Sequence, residues 1–497
     1  MKLADILKDI PAVDILGDVD REITEVVYDS RKVKDNSLFV ALSGTQLDGH
    51  RFIIDAIGSG AGAVALEDDS IVPDEYFTSH NTTKLHFQST RRAMALMAAN
   101  LFGHPSEHMK LVGITGTNGK TTSTYLVKSV LESGGGKVLL IGTIEYILGD
   151  TVLQTATHTT PESLDLQRLM ASALADGASS TVMEVSSHAL AMNRVYGIPF
   201  KAAVFTNLTQ DHLDFHLTME EYFKAKKILF DSLSPESFAI VNIDDEYGKR
   251  IVADTRAKKV YYGFRDDAEF RVVRSISTDQ GTLLDIRYGG NDFRVDSALV
   301  GKFNAYNLTG SFAVGVMLGC DPAVAAESLG RVKNIKGRFE RLDSGKGFLV
   351  IIDYAHSPDS LQKTLQAARE LLYESGKGGR LINVFGCGGN RDKTKRPRMG
   401  KISEDLSDLT IVTSDNPRFE DPAAIVDEIM KGMTLQPDKV FRIVDRREAI
   451  VAGLKLARPD DIVVIAGKGH ENYQDIKGVR RHFDDREEVE KELGLKN

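Results

Sequence analysis

Residues 110–122 read KLVGITGTNGKTT, and the rest of the chain is ordered around them. Apolar Leu111, Val112 and Ile114 lead into Gly116, Thr117, Asn118, Gly119, Lys120, Thr121 and Thr122, after which Tyr125, Leu126, Val127, Val130 and Leu131 recur at helical spacing. The reading is strand, glycine loop, helix. Gly116 and Gly119 let main-chain N–H groups turn inward onto an anion, and the helix that follows brings the positive end of its dipole. Lys120 adds a cation and Thr121 a hydroxyl for Mg2+. Such a loop holds the triphosphate of a nucleotide. It is a variant, because Ile114 stands where the common G-x-x-x-x-G-K-[ST] pattern has its first glycine. Which reaction the nucleotide drives is not written in the loop.

The totals narrow the setting. A chain of 497 residues exceeds one ordinary core, and about three domains are expected. A net charge of −9 without a basic block argues against wholesale nucleic-acid binding, while a few local arginines and lysines suffice for an anionic substrate. Cys320 and Cys387 stand in unlike contexts and define neither a disulfide framework nor a Cys-based zinc site. The opening MKLADILKDIPAVD interrupts its apolar positions with charges, and no run of about 18 apolar residues occurs. A soluble cytoplasmic protein, independent of membranes, is expected.

Three segments follow from the strand and helix patterns. In residues 1–107, the runs at 26–28, 38–42 and 63–66 alternate with turns, and the spacing of residues 48–57 suits a helix on a small sheet. In residues 108–336, apolar strands at 138–141, 180–185 and 202–206 alternate with helical stretches, which argues a mostly parallel sheet. Residues 266–300 are more irregular, charged and alternating. In residues 337–497, strands at 348–353, 381–385, 409–413 and 461–466 read as a second, Rossmann-like sheet. Ligands of such sheets gather at the carboxyl ends of the strands.

The polar residues cluster there. Glu184, His212 and the pair Lys226 and Lys227 lie on or just after central strands, and a carboxylate with an imidazole near a triphosphate suggests Mg2+. Taken singly, His212 is more often a capping or core histidine than a ligand. His212 and His216 stand four apart, but Leu213 replaces the glutamate of H-E-x-x-H and no third ligand is evident, so zinc is not expected. Asp29-Ser30-Arg31 and Ser43-Gly44-Thr45-Gln46 suit an anionic or uridine-like group, or are solvated turns. Four C-terminal loops, 353–358, 386–391, 414–418 and 467–471, are rich in Arg, Asp, His and Glu. They fit the walls of a pocket for a charged zwitterion better than four bland turns.

Taken together, GTNGKTT (116–122), HTTPES (158–163), MEVSSHAL (183–190), DHLDFH (211–216), YFKAK (222–226), NAYN (304–307), GRFE (337–340), DYAHSP (353–358), GCGGNRD (386–392), DNPR (415–418) and GKGHE (467–471) resemble the Mur ligase family. The resemblance runs through nearly the whole chain, and it absorbs the Ile114 departure, since the family's loop is similar to G-T-x-G-K-T.

The resemblance implies a three-domain α/β ligase: a small UDP-binding domain (1–107), a central P-loop ATPase domain with a mostly parallel sheet (108–336) and a Rossmann-like amino-acid domain (337–497). By it, ATP phosphorylates the D-Glu γ-carboxylate of UDP-MurNAc-L-Ala-D-Glu, and an incoming diamino acid attacks the acyl phosphate in peptidoglycan-precursor synthesis. Lys120 and residues 116–122 would hold ATP with Asn304, Asn307, Arg341, Asp353 and His356. Thr121, Glu184, His212 and a carbamylated Lys226 would hold Mg2+. Ser30, Thr45, Gln46, Thr159, Thr160, Ser186 and Arg194 would take the UDP-sugar dipeptide. Arg391, Asp415, Asn416, Pro417, Arg418, Gly467 and Glu471 would take the amino acid. Family members carrying Asp-Asn-Pro-Arg resemble those that add meso-diaminopimelate, whose second carboxylate suits a guanidinium. Arg418 therefore favours meso-diaminopimelate over L-lysine, with a monomer expected. Of the rivals, a folylpolyglutamate synthetase is opposed by the first domain and by DNPR, a P-loop switch by the lack of a switch motif, and a dead binding module by the presence of Lys120, Glu184, His212 and Lys226.

Overall fold

Short β-branched runs alternating with amphipathic helices can bury both kinds of apolar face only as helices layered on sheets. The computed structural model describes residues 1–44, 47–278, 280–434, 436 and 438–495, which group into two units: Met1–Gly113 with Gly136–Lys201, and Ile114–Gly135 with Ala202–Asn497. No described helix is long and apolar enough to cross a membrane.

The first unit opens on a five-stranded sheet, in the order Asp14–Leu16, Thr83–His86, Ala61–Leu66, Ser37–Val40 and Val26–Val27. The pairing with Asp14–Leu16 is antiparallel and the others are parallel. Ala61–Leu66 is buried along its whole length, as a central parallel strand must be. The helix Thr90–Leu101 is capped by the Ser89 hydroxyl and buries Ala93, Met94, Met97 and Ala98 against one face; Phe39, Val64, Ile53 and Phe77 fill the other. The helix expected over residues 48–57 begins as the tight turn Gly49–Phe52 and becomes α-helical at Ile53–Gly58. The same unit carries the parallel pair Lys137–Ile141 and Ala178–Glu184, extended by the antiparallel strands Glu145–Leu148 and Thr151–Thr155.

In the second unit, Ala202–Phe205, Phe238–Asn242 and Lys258–Gly263 pair in parallel. The irregular section proves to be an antiparallel meander, Phe270–Thr278, Gly281–Tyr288 and Asn291–Ser297. Its alternation is that of strands with one wet face, which polar residues disguise in the sequence. A six-stranded sheet follows, in the order Glu340–Asp343, Leu349–Asp353, Ile462–Ala466, Leu381–Phe385, Leu409–Val412 and Val440–Arg442. All pairs but the first are parallel. Apolar clusters around Leu361, Leu365 and Ile425 on one face and Ile450, Leu454 and Val489 on the other cover it.

Candidate active site

The loop after Lys110–Thr115 is built as the glycines dictate. Gly119 has φ +90°, in the region that glycine enters freely, and a Cβ there would come within 2.5 Å of Asn307 Oδ1. Asn118 N–H donates to Asn207 Oδ1 at 3.0 Å, and the Asn118 amide donates to Asp359 Oδ2 at 2.8 Å. The Thr117 hydroxyl lies 3.1 Å from Thr209 O and 3.2 Å from the Tyr222 hydroxyl. Thr121 and Thr122 are buried at the start of the helix Lys120–Ser133. Asn304 and Asn307 hydrogen-bond each other at 3.0 Å on the buried helix Lys302–Met317, and Asn307 also lies 3.4 Å from the Ser123 hydroxyl.

Two lysines converge on the loop. Lys120 Nζ donates to the carbonyls of Gly116 and Thr117 at 3.0 and 2.8 Å, and Lys226 Nζ donates to Gly116 O at 2.8 Å. Lys226 projects from the helix Met219–Asp231, is 1% exposed and lies over the Tyr222 ring. Burial first, and then the charge of Lys120, hold its amine well below the ordinary lysine range.

His212 takes a left-handed backbone, φ +55°, at the entry to the short helix Leu213–His216. His212 Nε2 and His356 Nε2 each lie 3.7 Å from Asp211 Oδ2. Burial pushes the Asp211 carboxyl up, but His356, His212 and Lys395 outweigh it and hold it below the ordinary carboxylate range. His216 is buried, tilted on the Tyr222 ring at 5.1 Å.

Arg338, in GRFE, and Arg341, three residues on and just past that motif, part company. Arg341 donates to Ala298 O at 2.8 Å, whereas Arg338 Nη2 donates to the Thr121 hydroxyl at 2.9 Å while its guanidinium lies over the Tyr354 ring. Arg338 was within the GRFE motif, but nothing in spacing alone separates the two arginines. Asp353, half-buried, accepts from Phe339 N–H, Ala355 N–H and the Thr364 hydroxyl at 2.7 to 2.9 Å, so it braces the loop that carries His356.

At the far end of the six-stranded sheet, register does the assembling. Asp353 pairs with Ala466, Ala466 with Phe385 and Phe385 with Val412, so the four polar loops leave the sheet along one carboxyl edge. Asp415, Asn416 and Pro417 are buried there, Arg418 and Glu471 are half-buried, and Arg391 is exposed. Asn416 Nδ2 donates to Glu471 Oε2 at 2.7 Å, and Arg418 Nη1 donates to Gly389 O at 2.9 Å. Gly467 has φ +119°, and a Cβ on it would come within 2.7 Å of Asp415 Oδ2.

Two buried cations, not singled out by the sequence, underlie this edge. Lys468 Nζ lies 3.3 Å from both Asn416 Oδ1 and Glu471 Oε2. Arg446 makes a two-pronged pair with Asp485, both bonds 2.7 Å, with neither side chain exposed, and donates onward to the carbonyls of Ser414 and Ala466. Burial raises the Asp415 carboxyl, yet Lys468 and Arg446 prevail and lower it; burial and the Asp415 charge raise Glu471. The buried pair reads in sequence only as one more arginine and one more aspartate.

In the first unit, Glu184 is 1% exposed, its oxygens accepting from Thr143 N–H and the Thr143 hydroxyl at 2.7 and 3.0 Å. The Thr143 hydroxyl also lies 3.1 Å from that of Thr159. The Thr160 hydroxyl donates to Glu184 O and accepts from Ser186 N–H, and Arg194 joins Thr160 O and Glu162, each at 2.9 Å. Structure thus brings Thr159, Thr160, Glu184, Ser186 and Arg194 together. Ser30 lies in the turn Ser30–Lys32, capped by Asp29, and Thr45 and Gln46 lie outside the described residues.

Three family profiles match in chain order: Mur ligase family, catalytic domain, over residues 22–102; Mur ligase middle domain over 114–315; and Mur ligase, glutamate ligase domain, over 337–469. The chain is 45% identical over 491 residues to UDP-N-acetylmuramoyl-L-alanyl-D-glutamate–2,6-diaminopimelate ligase 1 of Clostridium acetobutylicum, with 98% of each chain covered. It is 44% identical to the corresponding ligase of Syntrophomonas wolfei, again over 98% of each. A solved structure of a UDP-N-acetylmuramoyl-L-alanyl-D-glutamate–2,6-diaminopimelate ligase superposes with a TM-score of 0.68 at 30% identity, covering 99% of both chains. The fold also matches the MurF ligase of Thermotoga maritima in complex with ADP, TM-score 0.62 at 20% identity, over 95% of this chain and 98% of that one. This chain is a member of the Mur ligase family, with its three-domain α/β architecture.

Proposed function

We propose that this chain is an ATP-dependent amide ligase that joins meso-diaminopimelate to the D-Glu γ-carboxylate of UDP-MurNAc-L-Ala-D-Glu, in cytoplasmic peptidoglycan-precursor synthesis. The observation that supports it most is Arg418, half-buried on the carboxyl edge beside Asn416 and Glu471, with one guanidinium nitrogen spent on Gly389 O. The rest of its planar fork suits the second carboxylate that distinguishes meso-diaminopimelate from lysine. The names of the relatives agree with that substrate.

A carboxylate is a poor acyl donor, and phosphorylation supplies the leaving group that the attacking amine displaces. In this reading residues 108–336 hold ATP on Gly116 to Thr122, with Asn304 and Asn307 shaping the loop from behind. Arg338 joins Arg341 as a candidate partner, because it already reaches the Thr121 hydroxyl. Mg2+, when bound, offsets the negative charge gathered at the phosphates. In this reading the Thr121 hydroxyl, the Glu184 carboxylate, His212 and the Lys226 side chain supply the donors for that ion. The lowered pKa of Lys226 favours the neutral amine that adds to CO2, forming an N–C bond and releasing a proton, so that a buried amine becomes an anionic ligand. His356 and Asp353 belong to the same nucleotide site. Residues 1–107 with Ser30, Thr45 and Gln46, together with Thr159, Thr160, Ser186 and Arg194, take the UDP-sugar dipeptide. Residues 337–497 take the amino acid through Arg391, Asp415, Asn416, Pro417, Arg418, Gly467 and Glu471. We read the chain as a monomer.

Phosphate release from ATP, with Mg2+ and UDP-MurNAc-L-Ala-D-Glu and with meso-diaminopimelate or L-lysine in parallel, tests the reading. Release that needs the nucleotide dipeptide and rises only with meso-diaminopimelate is expected. Release with lysine alone overturns the reading of Arg418, and release that needs neither overturns the ligase.

A further inference from the structure

Just past Glu471 the chain forms an antiparallel hairpin, Tyr473–Ile476 with Val479–His482, in a two-stranded sheet of its own. Lys477 and Gly478 close it with φ of +53° and +79°, the two positive angles of a type I′ turn. A lone two-stranded hairpin is marginal in water. This one is completed by the Asp-Asn-Pro-Arg loop.

The contacts follow that loop almost residue by residue. Gln474 Nε2 donates to Asp415 O at 2.8 Å, and Asp475 N–H donates to Asn416 Oδ1 at 2.9 Å. Arg418 N–H donates to Asp475 O at 2.9 Å, and Lys477 N–H donates to Arg418 O at 2.7 Å, so Arg418 pairs with the hairpin as a parallel bridge to Ile476. Lys468 Nζ, already on Asn416 and Glu471, also donates to Tyr473 O. The exposed Phe419 ring lies against Gly478. Arg418 itself has φ +51°, a conformation that a long side chain keeps only where its surroundings over-determine it. The hairpin supplies both main-chain bonds that do so.

We infer that hairpin 473–482 is a specificity-setting template: it holds Arg418 in the left-handed conformation, fixing where the guanidinium meets the distal carboxylate of the amino acid, with Gln474 as its side-chain positioning residue. The inference rests on the proposed reading of Arg418 as the diaminopimelate reader. It explains why recognition by one arginine survives on a loop: the hairpin bonds both the N–H and the carbonyl of that arginine.

The test uses the full chain and four proteins: wild type, Gln474→Leu, Gly478→Val and Lys477→Asn. Gln474→Leu and Gly478→Val are expected to raise KM for meso-diaminopimelate about fivefold or more, with KM for ATP within about twofold and the preference for meso-diaminopimelate over L-lysine reduced. Lys477→Asn places Asn-Gly, the favoured type I′ pair, in the turn and is expected to leave or lower that KM. Unchanged KM for meso-diaminopimelate in Gln474→Leu overturns the inference, as does an equal rise in both KM values, which marks general damage. Should Gly478→Val fail to fold, Gln474→Leu decides. Wild type without meso-diaminopimelate-dependent phosphate release defeats the functional reading instead, and is scored before any variant.

Discussion

At the phosphate loop, Lys120 and Lys226 rest on main-chain carbonyls of a glycine turn, and burial holds the second well below the ordinary lysine range. At the carboxyl edge of the six-stranded sheet, the buried cations face carboxylates: Arg446 meets Asp485, Arg396 meets Glu420 and Glu428, and Lys468 meets Glu471. In the proposed reading the first arrangement leaves Lys120 to meet anions that come and go. The second spends its charge on holding loops in place, which in the proposed reading gives Arg418 a rigid wall against which to read a small zwitterion. Buried pairs of this kind contribute less to net stability than to geometry, because desolvation consumes much of their attraction.

The contrast breaks first at Lys226. Lys226→Ala is expected to lower kcat about a hundred- to a thousandfold, since in the proposed reading it removes an anionic ligand from the phosphate site, and a short carboxylic acid in solution should restore part of it. Phosphate-release assays check this, and full activity in the variant removes the carbamate. Next comes the scaffold. Asp485→Ala leaves a fully buried guanidinium unpaired and is expected to cost about 3 to 5 kcal/mol, read by denaturant unfolding, whereas Arg446→Met with Asp485→Leu should recover most of that. Equal losses in both variants would mean that packing, not charge, governs the site.

Arg418→Ala sharpens the comparison from the other side. It should raise KM for meso-diaminopimelate about ten- to a hundredfold and leave KM for ATP nearly unchanged, because one substrate alone loses a charge-assisted contact. Smallest is a pH effect at His470. Burial, then the charges of Arg338, Lys336 and Lys468, lower its pKa from 6.5 to about 3. The folded state therefore binds fewer protons than the unfolded one between these values. This contribution to stability is complete above pH 6.5 and is lost as pH falls towards 3. His470→Gln is expected to show a shallower decline of unfolding free energy across that window; an unchanged slope would place the acid sensitivity elsewhere.

Much of this was legible because the phosphate loop is local. Strand, Gly116, Gly119, Lys120, Thr121 and helix lie within one short stretch, and the conformation glycine permits is a property of the residue itself. The ordered motifs likewise carried the family and its layered α/β sheets, which the comparisons bear out. The meander at 270–297 was harder to see, since one wet face scatters charge through its strands. Tertiary structure alone decided that Arg338, rather than Arg341, reaches Thr121. It alone paired Arg446 with Asp485 across 39 residues of chain, and set a hairpin against Arg418. Residue types and spacings determine which chemistry a loop can offer. Which partners meet depends on strand register and on where burial forces a charge to find its counter-ion, and those are properties of the packed fold.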